Sequence, residues 1–128
     1  MYEVTIIKSF SAAHKLADLG DEQEDMHGHN FKIEVTVSGL NLSPSGILID
    51  FRDVKKWLNE ILIAFNHKNL NDLSCFKKLN PSSENIAKYI CSEMNLKTKN
   101  LNVRVARVKV WESENAAVTY IGDDKKPF

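Results

Sequence analysis

Apolar and polar side chains alternate cleanly along residues 30–38. Phe31, Ile33, Val35 and Val37 share one parity, while Lys32, Glu34, Thr36 and Ser38 share the other. A period of two predicts a half-buried strand. Residues 2–10 alternate more loosely, with Tyr2, Val4 and Ile6 on one side, and predict an earlier strand. Leu42-Ser43-Pro44-Ser45-Gly46 reads as a turn. From Asp50 the period lengthens: Val54, Trp57, Leu58, Ile61, Leu62 and Phe65 follow helical spacing behind Asp50 as N-cap. A second helix is expected from near Pro81-Ser82-Ser83-Glu84, with Ile86, Ala87, Ile90, Cys91 and Met94 as its apolar stripe. Alternation returns at Leu101, Val103 and Val105, then resumes one residue out of phase at Val108 and Val110. That slip predicts a β-bulge near Ala106. Residues 116–121 complete a hairpin.

The predicted order is β-β-α-α-β-β. Strands and helices that come in pairs, rather than as βαβ units, point to an α+β fold: an antiparallel sheet of four strands with two helices on one face. The sheet edges would be open, which favours an oligomer. No linker or repeat divides residues 1–128, so a single domain is expected. Lys+Arg and Asp+Glu are both 17, leaving no basic excess to neutralise phosphates or an anionic membrane. No apolar run approaches the roughly 20 residues of a membrane helix, and the first residues lack a signal-peptide pattern. Cys75 and Cys91 form neither a CxxC pair nor a secreted disulfide framework, so a cytoplasmic setting is expected.

The candidate chemistry lies in four histidines: His14, His27, His29 and His67. His27 and His29 flank Gly28 at the start of the second strand, on the parity of Phe31. Residues two apart in extended chain project to the same side, so both imidazoles point toward the covered face. Gly28 leaves room for a close approach to the backbone. His14 ends the first strand. If the two strands form a hairpin, residues 15–26 are its loop and His14 lies beside the pair. Three imidazoles in one place suit Zn2+ and leave a fourth position open, the pattern of a catalytic rather than a structural zinc.

Phe-Ser-Ala-Ala-His-Lys-Leu (10–16) and His-Gly-His-Asn-Phe-Lys (27–32) resemble the two zinc motifs of the 6-pyruvoyl-tetrahydropterin synthase family, which includes bacterial 6-carboxy-tetrahydropterin synthases. Gly46–Phe51, His67-Lys68-Asn69-Leu70-Asn71, Pro81-Ser82-Ser83-Glu84-Asn85 and Val108-Lys109-Val110-Trp111-Glu112 extend the resemblance from about residue 8 to 122. It implies the tunnelling fold, three sheets joined in a barrel, and two trimers stacked as a homohexamer with active sites between subunits. It makes His14, His27 and His29 the zinc ligands. It makes Glu112 the anchor for the amino-pyrimidine edge of a pterin, which a carboxylate can grip through two parallel hydrogen bonds. Ser82 and Ser83 match residues lining the pterin pocket, and His67 matches the catalytic histidine.

Two departures from the family pattern redirect the chemistry. Where the bacterial synthases carry a cysteine four residues before His-Gly-His, this chain has Gln23, and the next residue is Glu24. Glu24-Asp25-Met26-His27-Gly28-His29 resembles a branch with Glu-x-x-His-Gly-His. That branch cleaves 7,8-dihydroneopterin triphosphate to 6-hydroxymethyl-7,8-dihydropterin, a folate precursor. The chemistry expected on this basis puts zinc on the side-chain hydroxyls, with Glu24 as general base for retro-aldol rupture of C1′–C2′ and His67 assisting in proton return. The second departure is Asn66, where the family has Asp before the catalytic histidine. An amide can orient His67 but supplies no charge to stabilise its protonated form. Two alternatives stay open: a 6-carboxy- or 6-pyruvoyl-tetrahydropterin synthase that works without the cysteine, and a pterin-binding hexamer without catalysis.

Overall fold

A computed structural model describes residues 1–17 and 25–123. Strand β1 (Tyr2–His14) pairs antiparallel with β2 (His27–Gly39), and the ladder runs unbroken from Tyr2↔Gly39 to His14↔His27. Helix α1 spans Phe51–Leu62, with the Asp50 side chain accepting from the Arg52 N–H as its N-cap. Helix α2 spans Ser83–Thr98, capped by Ser82 through the Asn85 N–H. Strand β4 (Val103–Ser113) pairs with β2 and with β5 (Ala116–Ile121). The predicted start at Leu101 lies two residues too early, because Leu101 is outside β4 and exposed. Both helices pack on one face of the sheet, α1 against β1 and α2 against β4 and β5.

The structure adds one feature to the predicted four antiparallel strands. A two-residue strand, β3 (Lys68–Asn69), joins the outer edge of β1 in parallel, so the sheet is mixed and its order is β3-β1-β2-β4-β5. Two short 3-10 turns follow it, Leu70–Asp72 and Ser74–Phe76. Two residues of alternation cannot be told from loop, which is why β3 leaves no pattern in the sequence.

The core lies between sheet and helices. Phe31, Ile33, Val35 and Val37 of β2 meet Val54 and Leu58 of α1 and Ile86, Ile90 and Met94 of α2, and all are fully buried. Each such side chain contributes about 1.5–3 kcal/mol on leaving water. The opposite face stays polar. There Glu3 pairs with Arg107 at 2.8 Å, and Trp111 lies under the ammonium groups of Lys32 and Lys109. Arg107 holds the Glu3 carboxyl below the ordinary carboxylate range.

β4 carries two extra residues. Opposite β2 the register steps from Thr36↔Arg107 to Val37↔Val105, which leaves Ala106 unpaired at the position the phase slip predicts. Opposite β5 it steps from Trp111↔Ala117 to Ser113↔Ala116 and leaves Glu112 unpaired. Bulges re-aim side chains, and this second one carries the carboxylate of the site described next. At the Ala106 bulge the Gly122 N–H bonds the Ala106 carbonyl at 2.7 Å. A Cβ at Gly122 would fall 2.1 Å from the Val105 carbonyl oxygen, so only glycine fits there.

Candidate metal centre

The hairpin register places the centre. Because His14 pairs with His27 across the ladder, the last inward residue of β1 and the first two of β2 converge at the open end of the sheet. The ring centroids of His14 and His27 lie 4.7 Å apart, those of His27 and His29 4.4 Å, and those of His14 and His29 5.4 Å. Phe31 lies below, its ring 5.3 Å from His14 and 5.7 Å from His29. Glu112 enters from the β4 bulge. Its Oε1 lies 2.9 Å from His14 Nε2, 3.3 Å from His29 Nε2 and 4.0 Å from His27 Nε2. Ligand atoms of all four residues lie within 4.8 Å of one another.

The donor set fits a cation. His14 is sealed from solvent, and its Nδ1 lies 2.7 Å from the Pro81 carbonyl. A carbonyl only accepts, so Nδ1 carries the hydrogen and a neutral ring turns a bare Nε2 inward. That lone pair faces a carboxylate oxygen at 2.9 Å. Two acceptors in such contact need a proton or a metal ion between them. His27 repeats the arrangement, its Nδ1 donating to the Asp25 carbonyl at 2.9 Å and its Nε2 left for the centre. Imidazoles anchored through one nitrogen and pooled through the other are the usual outer-shell design of a zinc site. Only the three histidines were expected at the ion from the sequence; the structure brings the Glu112 carboxylate in beside them.

The other candidate residues divide. Ser82 and Ser83 line a cleft of about 120 Å³ together with His14, Leu16 and Glu112. The Ser83 hydroxyl is buried and has no hydrogen-bond partner among the described residues, an unsatisfied polar group of the kind a water, ion or ligand fills. His67 stands outside the cluster. It is exposed at the outer edge of the sheet, held at φ 60° while its N–H bonds the Ser11 carbonyl at 2.6 Å. It borders an open cleft of about 530 Å³ whose wall also includes Gly28, His29 and Asn30. Asn66 does not bond the His67 ring; its Oδ1 accepts from the Ser11 N–H at 3.0 Å. A Cβ at Gly28 would meet only the Ala12 carbonyl oxygen, at 3.9 Å, so this chain's own packing does not require glycine beside the histidines. Glu24 lies outside the described residues.

Neither cysteine joins the centre. Cys91 is buried in the stripe of α2, where burial pushes its thiol up to about 11. Cys75 sits in the second 3-10 turn, and burial raises it too. Both are free thiols. No helix among the described residues is long and apolar enough to cross a membrane.

The α+β sheet, with both helices on one face and a histidine-rich centre at its open end, agrees with the tunnelling fold that the sequence resemblance implies. The profile of the 6-pyruvoyl tetrahydropterin synthase family matches residues 3–123. A provisionally named 6-carboxy-5,6,7,8-tetrahydropterin synthase of Archaeoglobus fulgidus is 42% identical over 113 residues, covering 88% of this chain and 89% of its own length. Human 6-pyruvoyl tetrahydrobiopterin synthase is 36% identical over 130 residues, with 90% and 88% covered. A Pyrococcus furiosus protein named dihydroneopterin monophosphate aldolase is 35% identical over 112 residues, with 86% and 89% covered. Among solved structures, Caenorhabditis elegans 6-pyruvoyl tetrahydropterin synthase superposes with a TM-score of 0.80 at 27% identity, over 96% of this chain and 98% of that one. The chain belongs to the 6-pyruvoyl tetrahydropterin synthase family.

Proposed function

We propose that the chain is a zinc-dependent lyase that cleaves 7,8-dihydroneopterin triphosphate and releases 6-hydroxymethyl-7,8-dihydropterin for folate synthesis. The carrying observation is the make-up of the centre: three imidazoles and a carboxylate, with both cysteines of the chain elsewhere and their thiols held protonated. A thiol-based proton shuttle has no residue here to run it. The aldolase name of the Pyrococcus furiosus relative supports carbon–carbon cleavage as chemistry available to this family.

His14, His27 and His29 would hold the zinc ion, which as a Lewis acid acidifies hydroxyl groups brought to it. Glu24, three residues before His27, takes the proton of the C2′ hydroxyl. The C1′–C2′ pair then passes toward the ring imine as the bond breaks, C2′ leaves as the aldehyde of a two-carbon fragment that carries the phosphate chain, and C1′ is reprotonated. Ser82 and Ser83 line the pterin pocket, where the unpartnered Ser83 hydroxyl is available to the ring. Glu112 is assigned the amino-pyrimidine edge, which requires its carboxylate to turn from the imidazoles when the ion is in place. His67 is assigned the return of the proton. Its position outside the cluster fits a site completed by a neighbouring subunit.

Assembly as a homohexamer is part of the same reading. β3 covers β1 only at Ala12–Ala13, and β5 pairs only with β4 among the described residues, so the sheet presents two open edges. Light scattering behind size exclusion is expected to give six chains; a monomer at micromolar concentration would sink this arrangement. A reducing, cytoplasmic setting fits the two free thiols.

The test of function is direct. Zinc-loaded protein is incubated with 7,8-dihydroneopterin triphosphate, and with the monophosphate, and the pterins are identified by mass spectrometry. 6-Hydroxymethyl-dihydropterin is the expected product, and the better substrate reports the phosphate preference. A 6-pyruvoyl or 6-carboxy product would replace this reading with a cysteine-independent synthase, the activity in the names of the Archaeoglobus and human relatives. Bound pterin without any product would leave a binding protein.

A further inference from the structure

His14 is the ligand farthest from solvent, and its ring is aimed by a backbone group rather than a side chain. Its Nδ1–H bonds the Pro81 carbonyl at 2.7 Å. Carbonyls carry no sequence signature, so what matters is which residues hold Pro81 still. Asn80, the residue before it, spans both polar groups of Ala17. Its Oδ1 accepts from the Ala17 N–H at 2.9 Å, and its Nδ2 donates to the Ala17 carbonyl at 2.7 Å. The carbonyl of Asn80 in turn accepts from Asn85 Nδ2 at 2.8 Å. Asn85 sits in the first turn of α2, its own N–H bonded to the Ser82 hydroxyl at 3.1 Å. The stretch from Asn80 to Asn85 is thus closed on itself and tied to the chain leaving β1, with Pro81 in its middle.

We propose that Asn80 and Asn85 are positioning residues for the metal ligand His14, acting through the Pro81 carbonyl. The inference rests on the metal-centre reading above and deepens it. Proline has a fixed φ and no N–H of its own to anchor it, so the direction of its carbonyl follows from its neighbours. Asn80 fixes the peptide entering Pro81 against β1, and Asn85 fixes the same peptide against α2. The carbonyl then holds the imidazole in one tautomer and one orientation, with Nε2 toward the centre. Outer-shell partners of this kind typically govern metal affinity by about 10–100-fold.

The molecule contains its own control. Asn71 makes the same pair of bonds to Lys15, at 2.9 and 3.0 Å, directly beside His14, but has no bond to the Asn80–Asn85 stretch. If ordering the strand extension were the whole effect, Asn71 would matter as much as Asn80.

The experiment is the Zn2+ dissociation constant of the full-length protein, by competition with a chromophoric chelator, and the visible spectrum of the Co2+ form. Asn80→Ala and Asn85→Ala are each expected to weaken Zn2+ binding about tenfold. The double variant should be little worse than either single one, because both act through one carbonyl. Asn71→Ala should stay within about twofold of wild type. Asn80→Asp keeps the acceptor for the Ala17 N–H but not the donor, and should fall between. It is the variant to rely on if Asn80→Ala does not fold. Tight wild-type binding with unchanged affinity in the Asn80 and Asn85 variants, or an equal loss in Asn71→Ala, would overturn the inference alone. A wild-type protein that binds no Zn2+ would overturn the metal reading and this inference with it.

Discussion

His14→Ala is expected to empty the centre and abolish turnover, while Glu112→Gln should keep the ion and lose substrate. Both residues touch at 2.9 Å, yet the reading gives them different work. His14 presents a fixed Nε2 lone pair to the ion, so its loss should cost more than the roughly 10–100-fold of an outer-shell change. It also strips the buried Pro81 carbonyl of its donor, a loss of about 1–3 kcal/mol. Glutamine at position 112 keeps the shape of the side chain but no longer grips two N–H donors with a charged fork. KM should therefore rise with zinc content unchanged. Zinc per chain by atomic spectroscopy, measured beside KM, separates the two roles. If Glu112→Gln loses zinc as His14→Ala does, the carboxylate is a fourth ligand and the pterin has another anchor.

The histidines were legible because two simple rules agree on them. Parity along β2 puts His27 and His29 on the side of Phe31, and a hairpin joining two adjacent strands must return beside its start, which brings His14 to His27. The helices were legible for a similar reason: Asp50 and Ser82 are capping residues at the head of apolar stripes. Even the Ala106 bulge left a trace, since one extra residue inverts the alternation from Val105 to Val108.

Residues 66–80 left none. This segment follows β1 and the chain leaving it, and holds them largely with side chains: Asn66 on Ser11 of β1, Asn71 on Lys15 and Asn80 on Ala17 just beyond it. Side-chain amides standing in for a strand have no period, so the sequence reads as loop. The entry of Glu112 among the imidazoles was hidden as well. It depends on the second bulge, which lies at the end of β4, where too few residues remain on the far side to reveal a change of phase. The aim of His14 depends on a carbonyl, and any residue could have supplied one.

Glu24→Ala should lower kcat by about 10²–10⁴-fold, the usual worth of a positioned general base, with zinc content and pterin affinity intact. With one cysteine in the helix core and one in a distant turn, the proposed reaction needs a base other than a thiol. The candidate is the carboxylate three residues before His27, the position of the glutamate in the Glu-x-x-His-Gly-His pattern that the sequence resembles. The His27 ring is itself tied to the Asp25 carbonyl at 2.9 Å, so the residue next to Glu24 is already part of the centre's support. Glu24→Gln should be as inactive as Glu24→Ala, because an amide of the same length accepts no proton at neutral pH. Glu22→Gln removes an equal charge two residues away and should leave kcat within about twofold if position rather than local charge matters. Full turnover in Glu24→Gln would show the residue to be one more solvated acid and would move the base elsewhere. Equal losses in the Glu22 and Glu24 variants would point instead to the negative field of the whole segment 18–25.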